Sequence, residues 1–322
     1  MRSGGWACAF VLLLLAGVVP AWAGHEQTLF FHNFDGSTLG TMPDDWEVVF
    51  SGAGVTKQQV SDDFAFTGSR SLQVVGKTGF AALVERPFTS NAPVIVASYY
   101  VLISASSKAA AFSEPSGLFC LRGENYLGTW YGGVKFDHAT HKILDNSTEA
   151  ALGDWTPGVW YQVRVLMDRE DHRVKIWIDG APKADFRVDT FHPEFINSIG
   201  LVGSEAAVPV YYDNVRLFLP GIQESGVLLL DKLDLLVSRG ELPVNIAKEL
   251  SQSVLRAMAN EEAGRLVVAR TNLMTFRTKV ANYSKPGTPA TDHPPVFMMK
   301  DYFHLTRLAD QMIVQLGMHE VE

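Results

Sequence analysis

Cysteine is nearly missing from this chain, whose 322 residues hold two, Cys8 and Cys120. A disulfide framework is thereby excluded, and stability has to come from apolar cores large enough to manage without staples. Long apolar runs are missing as well. The run from Ala9 to Val19 falls short of the ~20 residues that cross a bilayer, and nothing later in the chain is long enough either. No membrane span is expected. An excess of basic charge is also absent, with 27 Lys and Arg against 35 Asp and Glu. Residues 24–224 hold 15 basic and 24 acidic side chains, and residues 225–322 hold 11 of each. No basic stripe is available to displace counterions, which excludes nucleic acid as a partner.

The short apolar run has a different meaning. Arg2 precedes it, and Pro20 and the small-x-small triplet Ala21-Trp22-Ala23 follow it, which is the three-part layout of a secretory signal. Residues 1–23 are read as a signal peptide cleaved after Ala23, so the mature protein is expected to be secreted or periplasmic. Cys8 lies too early to carry a lipid anchor. Cys120, in the apolar stretch "GLFCL", reads as a buried structural thiol.

From Leu29 to Leu219, short alternating runs such as Ser71 to Val75, Val94 to Ile103 and Val174 to Asp179 are separated by Gly, Pro, Asn and Asp clusters. About a dozen strands are too many for one open sheet and predict two packed antiparallel sheets, a β-sandwich. Beyond Val227 the period changes. Ile246, Leu250 and Val254, then Leu266, Ala269, Leu273, Phe276 and Val280, then Tyr302, Leu305, Leu308, Met312 and Leu316 recur at helical spacing, and predict a small bundle. The domains expected are thus a sandwich over 24–219, a linker over 220–226 containing Pro220 and two glycines, and a helical bundle over 227–322. "SKPGTPATDHPPV", residues 284–296, carries four prolines and reads as a loop between the third and fourth helices.

The stretch "GVWYQVRVLMDREDHRVKIWIDG", residues 158–180, is the most informative. Tyr161, Val163, Val165 and Met167, then Val174, Ile176 and Ile178, point to one sheet face, because successive strand residues alternate. Gln162, Arg164 and Leu166, with Lys175, Trp177 and Asp179, point to the other. An aromatic plate beside two cations and an amide suits a sugar, an acidic one before a neutral one; it also suits a plain solvated face. Gln162, Arg164, Lys175 and Trp177 are therefore candidate ligand residues. Tyr126 and Trp130, flanking glycines in "ENYLGTWYGG", join them as places where a ligand could approach the backbone closely. Trp46 and Trp160 are assigned to packing, "DREDH" (168–172) to a charged turn that keeps the protein soluble, and Asp137, His138, His141 and Asp145 to a solvated hairpin tip rather than a metal site.

These residues carry a resemblance. Trp160, the alternating strand, Asp168, the charged turn and a strand ending in Asp179-Gly180 resemble the concanavalin A-like, laminin G-type jelly roll. "SGLFCLRGENYLGTWYGGVKFD" and "DHATHKILD" sit where that family places its strands. "FDGSTLGTMPDDW" with "SDDFAFTGSRSLQVV" resembles the opening of secreted carbohydrate-binding modules, and "VYYDNVRLF" is similar to their last strand. Together these cover about residues 29–219. "LLDKLDLLVSRGELPVNIAKELSQSVLRAM" and "VVARTNLMTFRTKV" resemble the small helical FIMAH domain appended to secreted bacterial proteins, although the 284–296 loop is longer than in that family.

The resemblance implies a glycan partner without specifying which, since this fold hosts lectins, lyases, hydrolases and adhesion modules. Its retaining glycosidases carry Glu-x-Asp-x-x-Glu on one strand, and its lyases an Arg, a Gln-x-His and a Tyr. Neither pattern occurs here, and Gln162-Val163-Arg164 has arginine in the histidine position. A non-catalytic, secreted glycan-binding protein with a helical adaptor for another protein is the leading expectation. A protein-binding adhesion or assembly module and a lyase or hydrolase with an unrecognised site are the alternatives. The resemblance also implies a structural calcium ion held by Asp35 and Asp213, where Asp35-Gly36 is otherwise a turn and Asp213-Asn214 a strand-end bulge.

Overall fold

A computed structural model describes residues 26–104, 114–116, 118–121, 130–188, 196–203, 207–284 and 299–318. The first strands are β1 (Gln27–His32), β2 (Glu47–Ser51), β3 (Gln59–Ser61), β4 (Ser71–Val74), β5 (Ala82–Pro87), β6 (Val94–Ile103), β7 (Glu114–Ser116) and β8 (Leu118–Leu121). They continue as β9 (Trp130–Tyr131), β10 (Val134–Asp137), β11 (Lys142–Asp145), β12 (Ala151–Asp154), β13 (Trp160–Asp168), β14 (Arg173–Ile178), β15 (Ala181–Arg187), β16 (Ile196–Gly203) and β17 (Val210–Leu219). The largest sheet runs β15-β14-β13-β6-β17-β4-β3, with β1 also on β17. Sheets β2-β5-β16-β8-β9 and β12-β11-β10-β7 complete the β layers. All the pairings are antiparallel, as the hairpin-rich sequence requires.

The alternation read from the sequence is realised in β13 and β14. Val163, Val165, Met167, Val174, Ile176 and Ile178 are buried with Leu72, Val84, Val101, Leu201, Tyr212 and Leu217 in the core between the sheets.

Among the described residues four helices follow: α1 (Ile222–Ser238), α2 (Val244–Glu262), α3 (Leu266–Tyr283) and α4 (Met299–Met318). They form a third layer over the outer face of the large sheet. Val94, Val96, Leu166 and Phe218 of the sheet are buried in one cluster with Ile222, Leu229, Leu233, Leu250, Leu273 and Leu308. Each such side chain stabilises by roughly 1.5–3 kcal/mol when fully buried, so the bundle is held firmly on the sheet. The expected linker is corrected accordingly. Only Pro220 and Gly221 separate β17 from α1, and Gly226 lies inside the helix. A Cβ there would lie 2.6 Å from Met258 Sδ of α2, so this glycine permits close helix packing and does not break the helix. The proline-rich loop lies outside the described residues. No helix among the described residues is long and apolar enough to cross a membrane.

Candidate functional site

The outward residues of β13 and β14 come together as the alternation predicts, with Arg164 directly opposite Trp177 and Leu166 opposite Lys175. What faces them is the chain's own first helix. Arg164 donates to Glu224 Oε2 at 2.5 Å and its guanidinium lies 5.3 Å from the Trp177 ring and 5.5 Å from Phe218. Lys175 lies 3.3 Å from Asp231 Oδ2 and 3.6 Å from Asp185, and Arg173 donates to both of these acids. Trp177, half-buried, packs against the helical core. Burial pushes the Glu224 carboxyl up, and the attraction of Arg164 offsets this only in part.

"DREDH" is corrected from a solvated turn to the point where the bundle docks. Asp168 is 2 % exposed and lies 2.9 Å from Nε2 of His304, itself buried on α4. Burial alone drives the His304 pKa down and the Asp168 pKa up. Their mutual attraction and hydrogen bond outweigh it, so His304 ends above its ordinary value and Asp168 below. Lys232 of α1 sits 2.9 Å from both Asp171 and Asp301, and Arg307 of α4 pairs with Glu170. Arg169 donates to the carbonyls of Ser90 and Ile196 at 2.6 and 3.0 Å.

The other half of the same outer face is left open by the helices, and Gln162 belongs to it. Register pairs Gln162 with Tyr100 and Trp160 with Leu102, while Leu102 continues through Tyr211 to Gln73 and Gln59. Trp160, assigned to packing, therefore packs on the outer face, because Tyr161 and Val163 take the inner positions. Above this row lies the loop between β3 and β4. Its Phe66 stacks on Tyr100 at 3.6 Å between centroids and 15°, with Trp160 at 6.0 Å edge-on. Phe64 lies 4.9 Å from Tyr211. Phe64 and Phe66 are each 40 % exposed. Gln73 Nε2 donates to the Tyr211 hydroxyl at 2.9 Å, and that hydroxyl to Asp63 at 3.2 Å. Burial and neighbouring carboxylates, Asp179 and Asp63 respectively, push the Tyr100 and Tyr211 phenols up, so both stay neutral and keep their donor protons. Among the described residues this half presents aromatic faces, amides and carboxylates.

Asp35 and Asp213 are what hold that loop. Asp213 Oδ2 accepts from the backbone N–H of Phe66 and Thr67 at 2.9 and 3.0 Å, and Oδ1 from that of Asn214 at 2.6 Å. Asp35 Oδ1 accepts from the N–H of Ser69 and Arg70 at 2.8 and 3.1 Å, and Oδ2 from Asn33 at 3.2 Å. Gly68, at φ 68°, lets the loop close on Asp35, whose carboxylate a Cβ at that position would strike. Calcium needs six to eight oxygens turned toward it. Here every carboxylate oxygen faces an N–H donor, and no group of three or more His, Cys, Asp or Glu suited to a metal exists among the described residues. The pair does not fit the ion; it clips the loop by hydrogen bonds instead. His138 and His141 flank Trp155 at 5.2 and 5.3 Å, and His138 is buried rather than solvated.

Ser37, His32 and Asp45 form a cluster that sequence reading missed. His32 Nε2 lies 3.0 Å from Ser37 Oγ, and Nδ1 lies 3.6 Å from Asp45. The spacing is that of an activated serine, yet the tautomer is wrong. The Trp46 indole, which can only donate, gives its N–H to His32 Nδ1 at 3.0 Å, so the remaining ring proton is on Nε2 and points at Ser37. Burial lowers the His32 pKa and keeps the ring neutral. This histidine cannot accept the serine proton. Of the other expected ligand residues, Tyr126 lies outside the described residues. Trp130 is placed by backbone register opposite Cys120, on the β2-β5-β16-β8-β9 sheet, away from this face.

No protein-family profile matches the chain, and no curated protein does; the helical part finds no FIMAH match. Among solved structures the chain is similar to a sialidase at 13% identity and a TM-score of 0.44, over 81% of this chain and 25% of that one. It is similar to the CBM22-1 xylan-binding domain of Paenibacillus barcinonensis Xyn10C at 16% identity and 0.34, over 61% and 96%. A protein of unknown function with a galectin-like fold from Bacillus subtilis aligns at 15% identity and 0.39, over 59% and 95%. The chain spans a quarter of the length of the sialidase it matches.

Proposed function

We propose that this is a secreted or periplasmic, non-catalytic glycan-binding protein whose binding surface is the open half of the large sheet. The observation that carries the reading is the group Phe64, Phe66, Tyr100 and Trp160, two of whose rings are 40 % exposed, beside the amide of Gln162. Ring faces pack against the C–H face of a sugar, and amide and phenol groups exchange hydrogen bonds with its hydroxyls. The ligand is a neutral glycan. Arg164 and Lys175, which would have favoured an acidic one, are matched by Glu224 and Asp231, and the open half carries Asp63 and Asp179 instead.

A glycan array and pull-downs on insoluble neutral and acidic polysaccharides test this. Phe66→Ala and Trp160→Ala are expected to weaken binding by about 1–3 kcal/mol each while leaving the fold intact. Failure of the folded wild-type protein to bind any glycan refutes the reading, and retention on acidic polymers alone refutes the neutral preference. Capture of a protein through the same rings would favour the adhesion alternative.

A further inference from the structure

A second feature lies where the bundle meets the sandwich. A cleft of about 390 Å³ opens between Ala92, Pro93 and Leu219 on one side and Arg307, Gln311 and Val314 of α4 on the other. That is near the small end of the range for ligand pockets. Its charges are already matched. Arg307 pairs with Glu170 and donates to the Asn91 carbonyl, and Asp310 pairs with Arg277 at 2.8 Å. Gln311 is the exception: it is 8 % exposed, and neither its amide nitrogen nor its amide oxygen has a partner. One turn on, Gln315 puts its nitrogen to use, donating to the Pro220 carbonyl at 3.0 Å.

We propose that this cleft is a second, separate sugar site, taking one neutral sugar residue through a vicinal pair of hydroxyls on Gln311; the choice of sugar rests on the glycan-binding reading above. A carboxamide offers an acceptor and a donor side by side, which matches adjacent hydroxyls, one donating to Oε1 and the other accepting from Nε2. The matched rim charges select an uncharged ligand, and Ala92, Pro93, Leu219 and Val314 supply an apolar wall for its C–H face. Leaving the two amide groups unmatched in a buried position is destabilising, and the two hydroxyls relieve it. Reaching the amide requires the wall to yield, and Val314 at 58 % and the Arg307 side chain at 48 % exposure are placed to do so.

The test uses the full mature chain and a panel of methyl glycosides of glucose, galactose, mannose and xylose, with binding read from side-chain amide shifts in ¹H–¹⁵N spectra and from titration. Gln311→Leu removes the amide at nearly constant volume and should melt no lower than wild type. A fall of several degrees would mean the amide is already partnered within the chain, and would overturn the site. With at least one glycoside, the double variant Phe66→Ala/Trp160→Ala should keep a weak binding event that adding Gln311→Leu reduces at least tenfold. If the wild type binds and the double variant binds nothing, the cleft site fails and the aromatic site stands. If the double variant binds as wild type does and Gln311→Leu abolishes it, the aromatic site fails and the cleft stands. No binding by the wild type defeats both.

Discussion

The outer face of the large sheet is one surface with two fates. Around Arg164, Lys175 and Trp177 it is roofed by α1, whose Glu224 and Asp231 meet the cations; around Gln162, Tyr100 and Trp160 it is roofed only by the loop carrying Phe64 and Phe66. Both halves carry aromatic and polar side chains in the same alternation. They differ in whether the acids and apolar groups that complement them belong to this chain. A mixed aromatic and charged strand face is thus a statement that something covers it, and a helix of the same protein serves as well as a ligand.

Breaking the covered half should have the largest effect. Arg164→Ala leaves Glu224, whose side chain is 9 % exposed, buried without its ion-pair partner, and is expected to lower unfolding stability by about 3 kcal/mol, measured by urea denaturation. The double variant Arg164→Met/Glu224→Leu should recover most of it; no recovery would mean that the arginine acts through packing rather than charge.

Trp177→Ala should cost about 1–3 kcal/mol of stability and leave glycan affinity unchanged, whereas Phe66→Ala should do the reverse. The two outcomes exchanged would reverse the assignment of the halves.

A smaller effect is expected from pH. His304, raised above its ordinary 6.5 by Asp168, contributes stability that is fully present below that value and is lost as pH rises through its folded pKa. Asp168, held below its ordinary 3.8, contributes stability present above that value and lost as pH falls through its own folded pKa. Denaturation midpoints should therefore decline as pH rises above 6.5 and through the folded pKa of His304, and His304→Gln should flatten that decline. An unchanged slope would show that the pair does not titrate with folding.

The smallest effect expected is that of EDTA. With Asp35 and Asp213 bonded to N–H groups, chelation or millimolar calcium should move the melting temperature by less than about 1 °C, because an ion that does not bind the native state cannot stabilise it. A calcium-dependent rise of several degrees would restore the ion.

Much of the fold was legible because its signals are local. Alternation placed Val163, Val165, Val174 and Ile176 in the core, and helical spacing placed Leu250, Leu273, Phe276 and Leu308 in the bundle. Glycine and proline were less reliable guides. Gly226, read as punctuation, lies within α1 against Met258. Of the candidate site, Gln162 was legible as an outward residue, and Trp160 could have been, since alternation puts it on the same face. Phe64 and Phe66 were not. Their place over Tyr211 and Tyr100 depends on Asp213, 147 residues from Phe66 in the chain.

By itself the sequence determined the two periodicities, hence a sandwich followed by helices, and which residues of β13 and β14 face outward, because side-chain direction follows from strand and helix geometry alone. Only the tertiary structure decided what those outward residues meet. The complements of Asp168, Arg164 and Lys175 are His304, Glu224 and Asp231, groups on helices up to 136 residues away in the chain. Pairing at that distance is set by how the layers dock, and docking is driven by apolar burial among Val94, Leu166, Phe218 and the helices, which carries no local mark of where each charge will fall.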